Sequence, residues 1–238
     1  MADNKIIFGT VDSSTYGIYI SGEGVFNAPE RIVDMVEVPG RNGALAMDQG
    51  CFGNIQVTYP AFNYESSLAT FNTKIETFRN ALVSKKGYQR LTDSIHTDEF
   101  RLGVYHSGLE VNPIMYNTGA KFDIVFDCKP QRFLTSGEST TTLTSSGTIS
   151  NPTNFDAQPL LVVTGTGTLT VNGVAIAITA SPTTIDCESM EAYNGTTSRN
   201  GSITLTPNRF PVLSPGSNTI TLGAGITKVV ITPRWWRI

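Results

Sequence analysis

Asn172-Gly173, set between Leu169-Thr-Val171 and Val174-Ala-Ile176-Ala-Ile178, constrains this chain more than any other pair of residues. A two-residue type I′ turn needs φ > 0 at both central positions, which Asn and Gly tolerate, so the segment reads as a tight antiparallel hairpin. Its surroundings have the same character. Leu160-Leu-Val-Val163 is an apolar run after Pro159 that is too short for a helix. Ile203-Thr-Leu205, Thr219-Ile-Thr-Leu222 and Lys228-Val-Val-Ile231 repeat a period-two pattern between Gly, Pro and Asn breakers. Threonine suits such strands because its branched Cβ packs well on a half-buried pleated surface. Short strands without a helical period imply a β-sandwich or jelly roll.

Composition divides the chain. Residues 1–132 hold 27 charged side chains and 9 Thr, whereas residues 133–238 hold 10 and 22. Such a shift marks a domain boundary, placed here near Phe133–Gly137 where Thr, Ser and Gly accumulate. The expected organisation is an N-terminal β domain over 1–132, a linker and first strand over 133–150, and the body of a second β domain over 151–238. One helix interrupts the first half. Leu68, Phe71, Ile75, Phe78 and Leu82 step by three and four residues, which puts all five on one face of a helix near 66–84. Ser66 or Ser67 serves as its N-cap, Lys85 and Lys86 suit the negative end of its dipole, and Gly87 suits C′. Phe122, Ile124, Phe126 and Cys128 share one side of a core strand.

Catalytic patterns are not found. His96 lies among Asp93, Asp98 and Glu99 without ligand spacing, and reads as an acidic, solvated turn. His106-Ser107 has neither a G-x-S-x-G elbow nor a placed acid partner. Gly22-Glu-Gly24 and Gly165-Thr-Gly167 lack the third glycine and strand–helix setting of a dinucleotide loop, and read as turns. Cys51, Cys128 and Cys187 form no C-x-x-C and are expected to be buried, inert thiols in a reducing compartment. No enzyme activity, metal or cofactor is expected. No secretory leader and no run of ~18 apolar residues is visible, so membrane insertion is not expected. A net charge of -3 and a pI near 5.4 argue against a protein that grips phosphate backbones.

Two short motifs bear on interaction. Pro39-Gly40 and Asn42-Gly43 flank Arg41 with turn formers. Either the turn presents Arg41 and Asn42 to a partner or an acidic group, or it is a plain hairpin with a solvated arginine. Trp235 and Trp236 are adjacent, so on a strand one faces the core and the other is free to anchor an interface or stack on a sugar.

Val38-Pro-Gly-Arg-Asn-Gly43 followed by Asp48-Gln-Gly-Cys-Phe52 resembles the N-terminal signature of the distal tail protein (Dit) family of siphophages that infect Gram-positive bacteria. The likeness continues through Gly17-Ile18, Gly87-Tyr88, Leu91-Thr-Asp93, Arg101 and Phe126-Asp-Cys-Lys-Pro-Gln-Arg132. In the second half it includes Asn151-Pro152, Asn172-Gly173, Phe210-Pro-Val-Leu213, Pro215-Gly-Ser-Asn218 and the ending Pro233-Arg-Trp-Trp-Arg237. The resemblance implies a mainly β chain of two domains. The first is a tail-tube-like β-sandwich or barrel with one amphipathic helix, and the second a galectin-like β-sandwich. It further implies a homo-hexameric ring at the virion tail tip or baseplate, made in the host cytoplasm, whose channel passes DNA. Implied partners are the tail tube protein, the tape measure protein, the tail-associated hub or lysin protein, and a receptor-binding or side-fibre protein. Some family members carry a long arm inserted in the second domain; the connections here are short. The alternatives are a carbohydrate-binding or adhesin module of a tail tip, and a wall hydrolase, which requires paired carboxylates in a cleft.

Overall fold

The computed structural model describes residues 4–22, 24–114, 116 and 118–238. The chain divides into two compact units, one of residues 1–132 together with Ile238 and one of residues 133–237.

The first unit is built on an antiparallel sheet. Its strands lie in the order Val11–Asp12, Ile6–Phe8, Gln89–Asp93, Glu99–Val104, Gly119–Cys128, Ile55–Tyr64, Ile18–Ile20. The two longest, Gly119–Cys128 and Ile55–Tyr64, pair over their whole length from Gly119 opposite Tyr64 to Cys128 opposite Ile55. Alternation does the rest: Ile55, Val57, Tyr59 and Ala61 turn to the same buried side as Phe122, Ile124, Phe126 and Cys128.

The α-helix Leu68–Val83 covers that side. Ser67 caps it: the backbone there is extended, and the Ser67 Oγ accepts the Thr70 N–H at 3.2 Å. Phe71, Ile75, Phe78 and Leu82 are buried among the sheet's side chains, as the spacing requires. Leu68 is not, being 47% exposed, because the first helical residue lies at the end of the apolar stripe. Gly87 is not the C′ residue either. The helix stops at Val83 with Ser84 still right-handed, its N–H bonded to the Asn80 carbonyl, and Gly87 makes a separate left-handed turn.

The second unit is a sandwich of two sheets. One has the order Thr141–Leu143, Ile226–Thr232, Leu160–Gly165, Thr183–Asp186, Glu191–Asn194, Thr197–Ser198. The other has the order Gly147–Asn151, Gly216–Leu222, Gly167–Val171, Val174–Ile178, Ile203–Thr206. The Asn-Gly hairpin forms, with Asn172 and Gly173 both at positive φ and Val171 opposite Val174. Leu161, Val163, Val229 and Ile231 from one sheet and Leu169, Ile176 and Ile220 from the other meet in one core. The stretch 133–150 carries the end of strand Arg132–Leu134 and the strands Thr141–Leu143 and Gly147–Asn151, each of them paired, and no long free connection.

Gly165-Thr-Gly167 is more than a turn. Here, and again at Gly223-Ala-Gly225, the chain leaves one sheet and enters the other. The two crossings touch backbone to backbone: a Cβ on Gly165 would stand 2.1 Å from the Gly225 carbonyl oxygen, and one on Gly225 2.1 Å from that of Thr166. Glycine is required at both for space and for φ of +106° and +89°.

Candidate assembly surface

Between Phe26 and Phe52 the first unit extends a feature that takes no part in its core. Among the described residues, strands Arg31–Glu37 and Ala44–Phe52 pair only with each other, as a two-stranded arm. The tip is the first signature motif. Pro39 and Gly40 occupy the centre of a turn in which the Arg41 N–H donates to the Val38 carbonyl at 3.1 Å. Gly40 has φ +81°, the value that a type II turn needs after proline. Gly43, at φ +79°, then starts the return strand. The second motif is a bulge: the register slips between Arg31 and Val33, and Gly50 at φ +71° donates its N–H to the Asp48 carboxylate at 2.8 Å. Near the base, Arg31 pairs with Asp48, and the Arg31 guanidinium lies over the Phe52 ring at 5.8 Å.

The register decides what the arm shows on each side. Met35 stands opposite Ala46 and Glu37 opposite Ala44; on the other face Val36 stands opposite Leu45 and Asp34 opposite Met47. Both faces are therefore largely apolar, and both are open: Met35 is 65% exposed, Met47 52% and Leu45 44%. An isolated two-stranded hairpin is marginal in water, and contiguous exposed apolar surface marks an interaction site. The signal was present in Ile32-Val33-Asp34-Met35-Val36 and Ala44-Leu-Ala-Met47, which do not alternate as half-buried strands do.

Arg41 and Asn42 lie exposed at the arm's tip, and no side chain of the described residues pairs with Arg41. Cys51 is also exposed on the arm, contrary to the expectation of a buried thiol, because the strand that carries it borders no core. Cys128 and Cys187 are buried, and burial pushes both thiols up to about 12. The tryptophans do not form an exposed pair. Trp235 is in the second unit's core, and Trp236 is half-buried, stacked on Phe155 at 4.5 Å with its indole N–H donating to the Asp156 carbonyl.

The His96 region is a built turn and not a solvated one. The Asp93 carboxylate accepts the N–H groups of Ile95 and His96 at 2.8 and 2.7 Å and the Tyr59 hydroxyl at 3.0 Å, with His96 Nδ1 3.2 Å away. Burial, reinforced by that carboxylate, raises the pKa of Tyr59 well above the ordinary value, so its proton stays in the bond. His106 is exposed with its Nε2 3.7 Å from Asp127. Among the described residues no three His, Cys, Asp or Glu side chains converge as a metal site would require. Arg101, part of the resemblance, is buried, and Arg132 bridges Glu99 Oε1 at 3.2 Å and the Ile238 carbonyl at 2.9 Å.

No protein family profile and no curated protein matches the sequence. Solved structures do match. The chain is similar to the SPP1 Dit protein, a paradigm of the hub adsorption apparatus in Gram-positive infecting phages, over 99% of both chains, with a TM-score of 0.76 and 13% identity. A chain of the phage p2 baseplate in its activated conformation with Ca aligns over 96% of this chain and 97% of its own, with a TM-score of 0.47 and 13% identity. This chain thus has the fold of SPP1 Dit along its whole length.

Proposed function

We propose that this chain is a structural protein of a siphophage tail tip that closes into a ring of six copies through its first unit. In this reading the ring joins the tail tube and tape measure proteins to the hub, DNA passes through its channel, and the second unit serves as the platform for a receptor-binding or side-fibre protein. The observation that carries it is the arm. A ribbon apolar on both faces needs cover on both faces, and adjoining copies in a closed ring supply that cover while satisfying every copy alike. Two further facts support the reading: the full-length likeness to the fold of SPP1 Dit, and the presence of both signature motifs at the arm's tip and bulge. A net charge of -3 fits a channel that DNA crosses without adhering.

Electron microscopy of the purified full chain tests this directly. Six-fold rings are expected; particles of one copy at every concentration would overturn the reading. The exposed guanidinium at the tip is placed in the contact between copies, so Arg41→Ala is expected to weaken ring formation and leave the melting of each unit unchanged. Normal assembly by that variant would make the turn a plain hairpin with a solvated arginine.

A further inference from the structure

A closed ring of like copies needs two different surfaces on each copy, one that gives and one that receives. The arm is the first. The second lies on the outer face of the first unit's sheet, where strands Ile18–Ile20, Ile55–Tyr64, Gly119–Cys128 and Asn112–Ile114 run side by side. Tyr19 stands opposite Phe62 with ring centroids 6.1 Å apart, and Phe62 stands opposite Lys121. Two residues along, Tyr64 stands opposite Gly119, and Gly119 opposite Ile114. Between these rows is a hollow of about 350 Å³ lined by Phe62, Asn63, Tyr64, Ile114, Ala120 and Lys121. Asn63 and Ala120, opposite one another, turn their side chains to the buried side, so the floor is main chain. The walls are open: Phe62 is 43% exposed, Tyr64 64% and Ile114 41%. Clustered exposed aromatics are the anchors of protein interfaces.

The arm carries the matching shape and charge. Met35 stands opposite Ala46, and the next pair on that face is Glu37 opposite Ala44. The methionine therefore projects as a knob among small neighbours. Its unbranched side chain adapts to irregular hollows, and its sulfur makes favourable contacts with aromatic edges such as those of Phe62 and Tyr64. Of the arm's three carboxylates, Asp48 pairs with Arg31 and Asp34 accepts from the Gln49 amide. Glu37 has no partner among the described residues. Lys121, the charged residue of the hollow, is exposed and likewise has none among them. Glu37 follows Met35 by two residues, about 7 Å along the strand, and Lys121 stands one strand, about 5 Å, from Phe62. A methionine seated against Phe62 thus brings the carboxylate within reach of the ammonium at the rim. Two hollows do not mate, so the contact joins unlike surfaces and runs head to tail around a ring.

We infer that the hollow bounded by Phe62, Tyr64, Ile114 and Lys121 receives the arm of a second copy of this chain, with Met35 seated in it and Glu37 paired with Lys121. The inference rests on the ring reading above and names the surface that the arm meets.

Charge exchange in the full chain, followed by sedimentation velocity, tests this contact. Glu37→Lys and Lys121→Glu each put like charges together at the rim, and both positions are exposed and outside the core. Each variant alone is expected to melt like the parent and to need at least about tenfold more protein to assemble. Mixed in equal amounts, the arm of each variant meets the opposite charge in the hollow of the other, and particles of six copies are expected to return. Lys228→Glu, in the second unit, is expected to assemble like the parent. A parent that assembles while both variants do so equally well would overturn this contact and leave the ring reading standing. So would a mixture that assembles no better than either variant alone. A parent that stays a single copy at every concentration would overturn both.

Discussion

Gly225 illustrates how a single position decides whether the sandwich closes. Any side chain there collides with the Thr166 carbonyl and must also sit at φ +89°, so neither the clash nor the strain can relax without separating the crossings. Gly225→Ala is expected to cost the second unit about 3 kcal/mol or more. Denaturant unfolding followed by tryptophan fluorescence checks this, because both tryptophans lie in that unit. Asp186 provides a pH-dependent case. Burial works against its charge, yet the two-pronged Arg234 guanidinium, at 2.7 and 3.0 Å, outweighs burial and holds its carboxyl below the ordinary value of 3.8. A depressed folded value means that the pair stabilises fully above pH 3.8 and progressively less as pH falls through the lower folded value. Asp186→Asn is therefore expected to lose about 1–3 kcal/mol at neutral pH and to flatten the acid limb of the tryptophan-monitored stability profile. An acid limb as steep as the parent's would show that other carboxylates set it.

At the scale of elements, the helix and the arm are opposites in how far local sequence specifies them. The helix is legible because its partner lies in the same unit: Phe71, Ile75, Phe78 and Leu82 repeat with the helical period because one sheet covers one face. Ile75→Ala is expected to cost ~2–5 kcal/mol and Phe78→Ala ~3–5 kcal/mol through lost contacts and a cavity, measured as loss of far-ultraviolet dichroism in denaturant. Unchanged melts would mean that the stripe faces a partner and not the core. The arm's turn glycines, Gly40 and Gly43, are equally legible, since positive φ is a local demand. Its role is not, because two apolar faces on one ribbon make sense only with cover from outside the unit. The glycine crossings show the complementary limit. Gly165 and Gly167 look like ordinary turn residues until Gly223 and Gly225, more than fifty positions later, arrive against them. Asp93 likewise reads as solvated because its Tyr59 partner is distant in sequence.

For the whole molecule, the two units differ in composition as well as in fold. The first unit keeps its charge on a surface with a helix and a long antiparallel sheet, while the second spends its surface on threonine. Neither half presents a convergent set of catalytic groups among the described residues, and the most unusual surfaces are an apolar ribbon and the hollow beside Phe62 and Tyr64. Both are suited to contact with large partners, and the proposed ring rests on the first. The double variant Leu45→Asp with Met35→Asp charges both faces of the arm while leaving the core of the unit untouched, so its melting is expected to match the parent's. Sedimentation velocity of the full chain beside this variant measures the claim most directly. The parent is expected to sediment as six copies and the variant as one; two identical profiles, whatever their size, would show that the arm does not build the assembly.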